Sequence, residues 1–114
     1  MAHLRSPEGC PWDQEQTHNT VSRCLVEEAS ETLEAIDNED MVLLEEELGD
    51  LLLQVIFHAQ IAKENEVFDI EDVARGIGDK LIRRHPHVFG DEKGSITEAD
   101  KVVDRREEVK AEGK

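Results

Sequence analysis

Glu28 and Glu31, and again Glu47 and Asp50, are carboxylates spaced i, i+3, which puts both members of a pair on one face of a helix. At about 100° per residue, Glu28 falls in the sector of Val21, Cys24, Leu25, Thr32 and Ala35, with Glu31 at its edge. Asp50 shares its sector with Leu43, Glu47, Gln54, Phe57 and Ile61, so acids interrupt an apolar face twice. Carboxylates gathered in an apolar interior repel one another and lose hydration unless protons, basic partners or a cation compensate. A hard cation is the economical answer. All-oxygen ligation favours Mg2+, or Mn2+ in its place, over zinc, and antiparallel packing would bring both pairs to one ion. The competing explanation for any acidic run is a solvated face, and Glu34, Glu39 and Glu45 fit it. The four inward acids break the apolar pattern and do not.

The elements that must hold these acids read as helices. Residues 1–12 contain Pro7, Gly9 and Pro11, which disfavour regular structure and predict an extended N-terminal segment. A helix should begin near Asp13 or Thr17 and run to about Ile36, where Asp37-Asn38-Glu39-Asp40 makes a polar break between antiparallel helices. The second helix covers 41–63. Its middle, 48–57, is apolar on nearly every side apart from Gly49, Asp50 and Gln54, the pattern of a helix packed all round and of a subunit interface. Asp69 with Asp72 starts a third helix through Val73, Ile77, Leu81 and Ile82, and Pro86 should end it. Residues 86–91 read as an ordered turn, with His85 and His87 shaping it. Ser95 with Glu98 then offers a capping box for a charged C-terminal helix, about 96–111 within the tail 96–114. The expected fold is therefore all-α: a single domain over 1–114 of four-helix-bundle type, completed by dimerisation.

The charge balance narrows the partners. With 28 acidic and 13 basic residues among 114, the formal charge of −15 opposes direct grip on nucleic acid or an anionic membrane, and an anionic substrate would need a bridging cation. No stretch approaches the roughly 20 apolar residues of a membrane span. The first ten residues lack the apolar centre of a signal peptide, which leads to the expectation of a cytoplasmic protein. Cys10 and Cys24 form no CxxC pair and read as reduced thiols.

Several motifs together carry a resemblance: Cys10-Pro11-Trp12-Asp13, Gln16-Thr17-His18, Glu27-Glu28-Ala29-Ser30-Glu31, Glu47-Leu48-Gly49-Asp50 and the run Arg83-Arg84-His85-Pro86-His87-Val88-Phe89-Gly90-Asp91. From about Leu4 to Lys110 the chain resembles the MazG family of all-α nucleoside triphosphate pyrophosphohydrolases. The resemblance implies a helical domain, dimeric or higher, that hydrolyses NTPs or dNTPs to the monophosphate and pyrophosphate with Mg2+. It also implies that Glu28, Glu31, Glu47 and Asp50 are the metal ligands. Glu27 and Glu46, turned about 100° from the ligands, would orient the attacking water, hold outer groups, or simply face solvent. Lys80 and Arg84, an i, i+4 pair, match the family's phosphate-binding basic residues, with Arg83 and Lys110 as further candidates. In the C-terminal motif Arg106-Glu107-Glu108-Val109-Lys110, Arg106 stands where the family has tryptophan. Contact with the base would then fall to Arg106, Trp12 and His18, although Trp12 has the competing role of anchoring the N-terminal segment. His58, one turn after Gln54, reads as a hydrogen-bonded core histidine before it reads as a ligand. Two other readings compete with the pyrophosphohydrolase: a low-activity or non-catalytic binding or regulatory domain, on its own or as part of a larger fused protein, and a purely structural acidic bundle.

Overall fold

The computed structural model describes residues 1–90 and Glu108, and among them it contains helices and no strand. In chain order these are α1 (Pro11–Glu15), α2 (His18–Asp37), α3 (Met41–Glu64), α4 (Ile70–Arg83) and α5 (Pro86–Phe89). The expected all-α class is met. The chain divides into two units, Met1–Ile70 and Glu71–Lys114.

Caps in the first unit place the acid-bearing helices. Of the two starts expected for the first long helix, Thr17 takes the cap. Its hydroxyl accepts from the Thr20 amide, and the Thr20 hydroxyl accepts from the Thr17 amide at 2.7 Å. Asp13 lies in α1 instead. At the other end, Glu39 adopts a left-handed φ of 54°, the amide of Asp40 donates to Ala35 O, and that of Glu39 donates to Ile36 O. This paired closure ends α2 and reverses the chain within a few residues. Asp40 then caps α3 by accepting from the Leu43 amide at 3.1 Å.

The N-terminal segment corrects the sequence expectation. Pro11 begins α1, because a proline at the first helical position gives up an amide that has no partner there anyway. The residues before it fold back in turns: Arg5 N donates to Met1 O, Gly9 N to Ser6 O and Cys10 N to Leu4 O. A side chain at Gly9 would run into the carbonyls of His3 and Leu4, so the turn needs glycine. Arg5 ties this segment to the helices. Its guanidinium donates to Glu64 at 2.8 and 2.9 Å, and also to the carbonyls of Asp13 and Gln16. It also stands 5.5 Å from the centre of the Phe57 ring. The Glu64 carboxyl is held below the usual carboxylate range, chiefly by that hydrogen bond. Trp12 is 58% exposed, so the anchoring role considered for it belongs to Arg5.

α2 packs against α3 along one side of each, burying Val21, Thr32 and Ala35 against Glu47, Phe57, Ala59, Ile61 and Ala62. The all-round packing expected of the second helix is absent among the described residues. Leu48, Leu52 and Leu53 are 49, 56 and 43% exposed because α2 covers a single face.

In the second unit, α4 carries Glu71 and Asp72 in its first turn and Lys80 and Arg83 in its last, matching the helix dipole. The turn expected after it is a short helix, α5, whose N-cap His85 sets Nδ1 2.6 Å from Leu81 O. His87 in α5 is buried. The C-terminal helix expected over 96–111 lies outside the described residues except for Glu108, which is helical and exposed.

If Arg5 is the tie, Arg5→Ala should destabilise the fold by about 2–3 kcal/mol, since it strands Glu64 and two carbonyls. Urea unfolding of the purified variant measures this. A loss below about 0.5 kcal/mol, the level of an ordinary surface change, would contradict the assignment.

Candidate metal centre

Two contacts across the α2–α3 seam set its antiparallel register. At one end Glu28 meets Glu47, and ten residues back along α2 His18 meets His58. Carboxylate oxygens of Glu28, Glu47 and Asp50 lie within 4.8 Å of one another. Glu31 is exposed, yet it acts on Glu47 by hydrogen bonding and by charge, so all four inward acids converge.

Glu47 is 8% exposed. Its Oε2 and the Oε2 of Glu28 are buried without a hydrogen-bond partner. The neighbouring hydroxyl, Thr32 Oγ1, is already committed to Glu28 O at 2.7 Å and cannot satisfy them. Burial first, then the hydrogen bond and charge of Glu31 and those of Glu28, push Glu47 up to about 7. Burial, followed by the charges of Glu31 and Asp50, also raises Glu28. Buried acceptors without donors, on groups that resist ionising together, are what a cation would relieve. Ligands of one small divalent ion stand roughly 3–4 Å apart, within reach of small side-chain rotations here. The cluster can hold a divalent cation.

The remaining candidates divide. Glu27 and Glu46 are both exposed, and Glu27 acts on Glu28 through charge. Lys80 and Arg83 are exposed in the last turn of α4. Arg84 follows, its amide donating to Lys80 O at 2.9 Å and its Nε buried without a partner. These three belong to the second unit. Lys110 and Arg106 lie outside the described residues. Trp12 presents its ring to solvent while its carbonyl accepts from Gln16 Nε2. His18 Nδ1 is 2.7 Å from His58 Nδ1, with the rings 5.0 Å apart and 2° from parallel. His58 is thus the hydrogen-bonded histidine its position suggested, and burial, then His18, lowers its pKa.

One side chain on the seam was missed as a site residue. Gln54 buries Oε1 without a partner on the same face of α3 as Glu47. The signal was available, because Gln54 follows Asp50 by one helical turn. A cavity of about 330 Å3 lined by His18, Ile61 and Glu64 lies elsewhere. Ile61 is fourteen residues past Glu47, roughly 21 Å along the helix, so this cavity is not part of the acid cluster.

Residues 16–89 match the family of the MazG nucleotide pyrophosphohydrolase domain. The chain belongs to the MazG family. It is 60% identical over 94 residues to the nucleoside triphosphate pyrophosphohydrolase/pyrophosphatase MazG of Thermotoga maritima, covering 82% of this chain and 37% of that protein. It is 50% identical over 113 residues to the nucleoside triphosphate pyrophosphohydrolase of Escherichia coli K12, covering 98% of this chain and 42% of that one. The chain therefore spans less than half the length of these MazG relatives. Among solved structures, the mazG-related protein from Thermotoga maritima superposes with a TM-score of 0.74 at 29% identity, over 94% of this chain and 91% of that one.

The raised Glu47 sets a pH test. Its folded pKa, about 7, exceeds the ordinary value of 4.5, so the folded state binds the extra proton. The stabilisation is complete below about pH 4.5 and is lost as pH rises through 7. With chelator present, the melting temperature should fall between pH 5 and pH 8, and Glu47→Gln should flatten that fall. Added Mg2+ should raise the midpoint more at pH 8 than at pH 5, because ion and proton compete for the same oxygens. A chelated melting curve indifferent to pH would contradict this account.

Proposed function

We propose that this chain is a nucleoside triphosphate pyrophosphohydrolase, converting NTPs or dNTPs and water to the nucleoside monophosphate and pyrophosphate. The observation that carries the reading is the α2–α3 acid cluster with its unpartnered buried oxygens, in a chain of the MazG family. In it, Glu28, Glu31, Glu47 and Asp50 hold Mg2+, or Mn2+ as a substitute. The bound ion would neutralise charge on phosphate oxygens and favour deprotonation of a nucleophilic water. The water attacks the α-phosphorus, and pyrophosphate leaves with the electron pair of the broken anhydride bond. Glu27 or Glu46, exposed beside the ligands, orients that water through a hydrogen bond. Lys80, Arg83, Arg84 and Lys110 supply positive charge to the phosphate oxygens. Trp12, His18 and Arg106 are the base-side residues of this proposal.

The chain is a single domain over 1–114, and its working unit is a homodimer or higher oligomer. Support comes from the exposed apolar face of α3, with Leu48, Leu52 and Leu53, and from Val73, Ile77 and Leu81 on α4, each at least 37% exposed. Faces this apolar mark association surfaces. The charge of −15 and the unpaired thiols Cys10 and Cys24 accord with a cytoplasmic protein that binds no nucleic acid. No helix among the described residues is long and apolar enough to cross a membrane.

Pyrophosphate release from a panel of NTPs and dNTPs, with Mg2+ and with chelator, tests the activity. Turnover of at least one nucleotide, abolished by chelator, is expected. Specific Mg2+ binding without turnover would leave the non-catalytic binding domain, and absence of both would leave the structural bundle. Glu47→Gln and Asp50→Asn should each lower kcat on the order of 100-fold or more while circular dichroism stays native, and full activity in either would remove that residue from the ligand set. Leu52→Lys should shift sedimentation toward the 12.9 kDa monomer; an unchanged native sedimentation value would exclude the α3 face as the interface.

A further inference from the structure

Where α4 meets α5, two side chains bury a nitrogen without a hydrogen-bond partner: Arg84 Nε and His87 Nδ1. His87 is only 6% exposed, so water does not stand in for the missing partner. An unpaired buried group is costly, most of all on a charged side chain. Two of them three residues apart imply an occupant that serves both. The backbone that carries them is fixed. Arg84 N donates to Lys80 O, and the amides of Val88 and Phe89 both donate to His85 O, which pins α5 to the end of α4. His85 Nδ1 stands 2.6 Å from Leu81 O, and a carbonyl can only accept, so that nitrogen carries the proton. The His85 ring lies 5.5 Å from the His87 ring, tilted 45° to it, and holds it from that side.

Arg84 decides the sign of the occupant. Its guanidinium stays ionised and offers only donors, so it repels a cation and attracts an acceptor oxygen. With Nδ1 protonated, His87 adds a second, directional donor beside that charge. We propose that His87 binds a phosphate oxygen of the substrate alongside Arg84, so that the second unit grips phosphate through a buried imidazole as well as through surface charge. This rests on the pyrophosphohydrolase reading and adds to it a residue whose place in the sequence suggests only the shaping of a turn. The two kinds of contact differ physically. Lys80 and Arg83 are exposed, and their pull on an anion is screened by salt. A buried N–H acts at hydrogen-bond range, where a charged acceptor makes the bond roughly twice as strong as a neutral one. The competing occupant is a carboxylate of the protein itself, from this copy or a second one. It would stabilise the fold and would leave phosphate affinity indifferent to His87.

Calorimetric titration of the full chain with inorganic pyrophosphate in Mg2+ tests the assignment through two variants. His87→Phe keeps a ring and removes both nitrogens, whereas His87→Asn gives up volume and keeps a donor near the place of Nδ1. The Phe variant should bind pyrophosphate tenfold or more weakly, and the Asn variant should return to within about threefold of the native chain. A space-filling role predicts the reverse order, and that order would overturn the proposal. So would a Phe variant with native affinity, even one that melts at lower temperature, since the occupant would then be a carboxylate of the protein. Should neither variant fold, the imidazole nitrogen resonances of His87 in the native chain provide the second measurement. They should shift when pyrophosphate is added, and their standing still overturns the assignment. Native turnover of NTPs with an unchanged KM in His87→Phe would end this proposal alone. A native chain with neither turnover nor pyrophosphate binding would end the pyrophosphohydrolase reading and this proposal together.

Discussion

Two helices cannot bury Glu28 against Glu47 unless something neutralises the pair, and the geometry of the first unit depends on that constraint. The antiparallel register, the paired turn closure at Glu39 and the Asp40 cap together deliver the acids to one place. Without a cation, the cluster can relieve its repulsion by keeping a proton, and the elevated pKa of Glu47 expresses this. A site that holds a proton near neutrality also lets a divalent ion displace it at small cost, so the metal-free fold tolerates the arrangement.

The opposite end of the seam is organised by different chemistry. Arg5 brings the N-terminal turns, α1 and the C-terminal turn of α3 together through Glu64, two carbonyls and the Phe57 ring. Nearby, His18 and His58 join the helices through their Nδ1 atoms. The seam is thus acidic at one end and aromatic and basic at the other, where Val21, Phe57 and Ile61 form the buried apolar cluster. Among the described residues that cluster is small. The large apolar residues left exposed on α3 and α4 give the proposed oligomer its physical motive: a second copy would remove from water the surface that α2 does not reach.

The MazG frame does not depend on one particular sequence. A solved relative at 29% identity retains the fold with a TM-score of 0.74, so the helical frame withstands wide change in composition. The long relatives from Thermotoga maritima and Escherichia coli carry more chain than this one spans, 37% and 42% of their lengths being matched. In this chain the frame holds a place where oxygen ligands converge without donors of their own.

Local pattern was enough to locate α2, α3 and α4 nearly to the residue, because caps, the polar break at Asp37 and the apolar period are short-range signals. The inward direction of Glu28, Glu47 and Asp50 was legible for the same reason: a side chain's sector follows from its number. Pro11 misled, since proline breaks a helix in its interior and starts one at its first position, and only the turns before it decide which. Three other things required parts of the chain distant in sequence to be laid together. They are the Arg5–Glu64 tie between residues fifty-nine apart, the meeting of His18 with His58, and the fact that oxygens of Glu28, Glu47 and Gln54 end without partners. Sequence dictates which way a group points. Whether it then finds a donor, another acid or nothing depends on the register of a neighbour distant along the chain, and packing alone sets that.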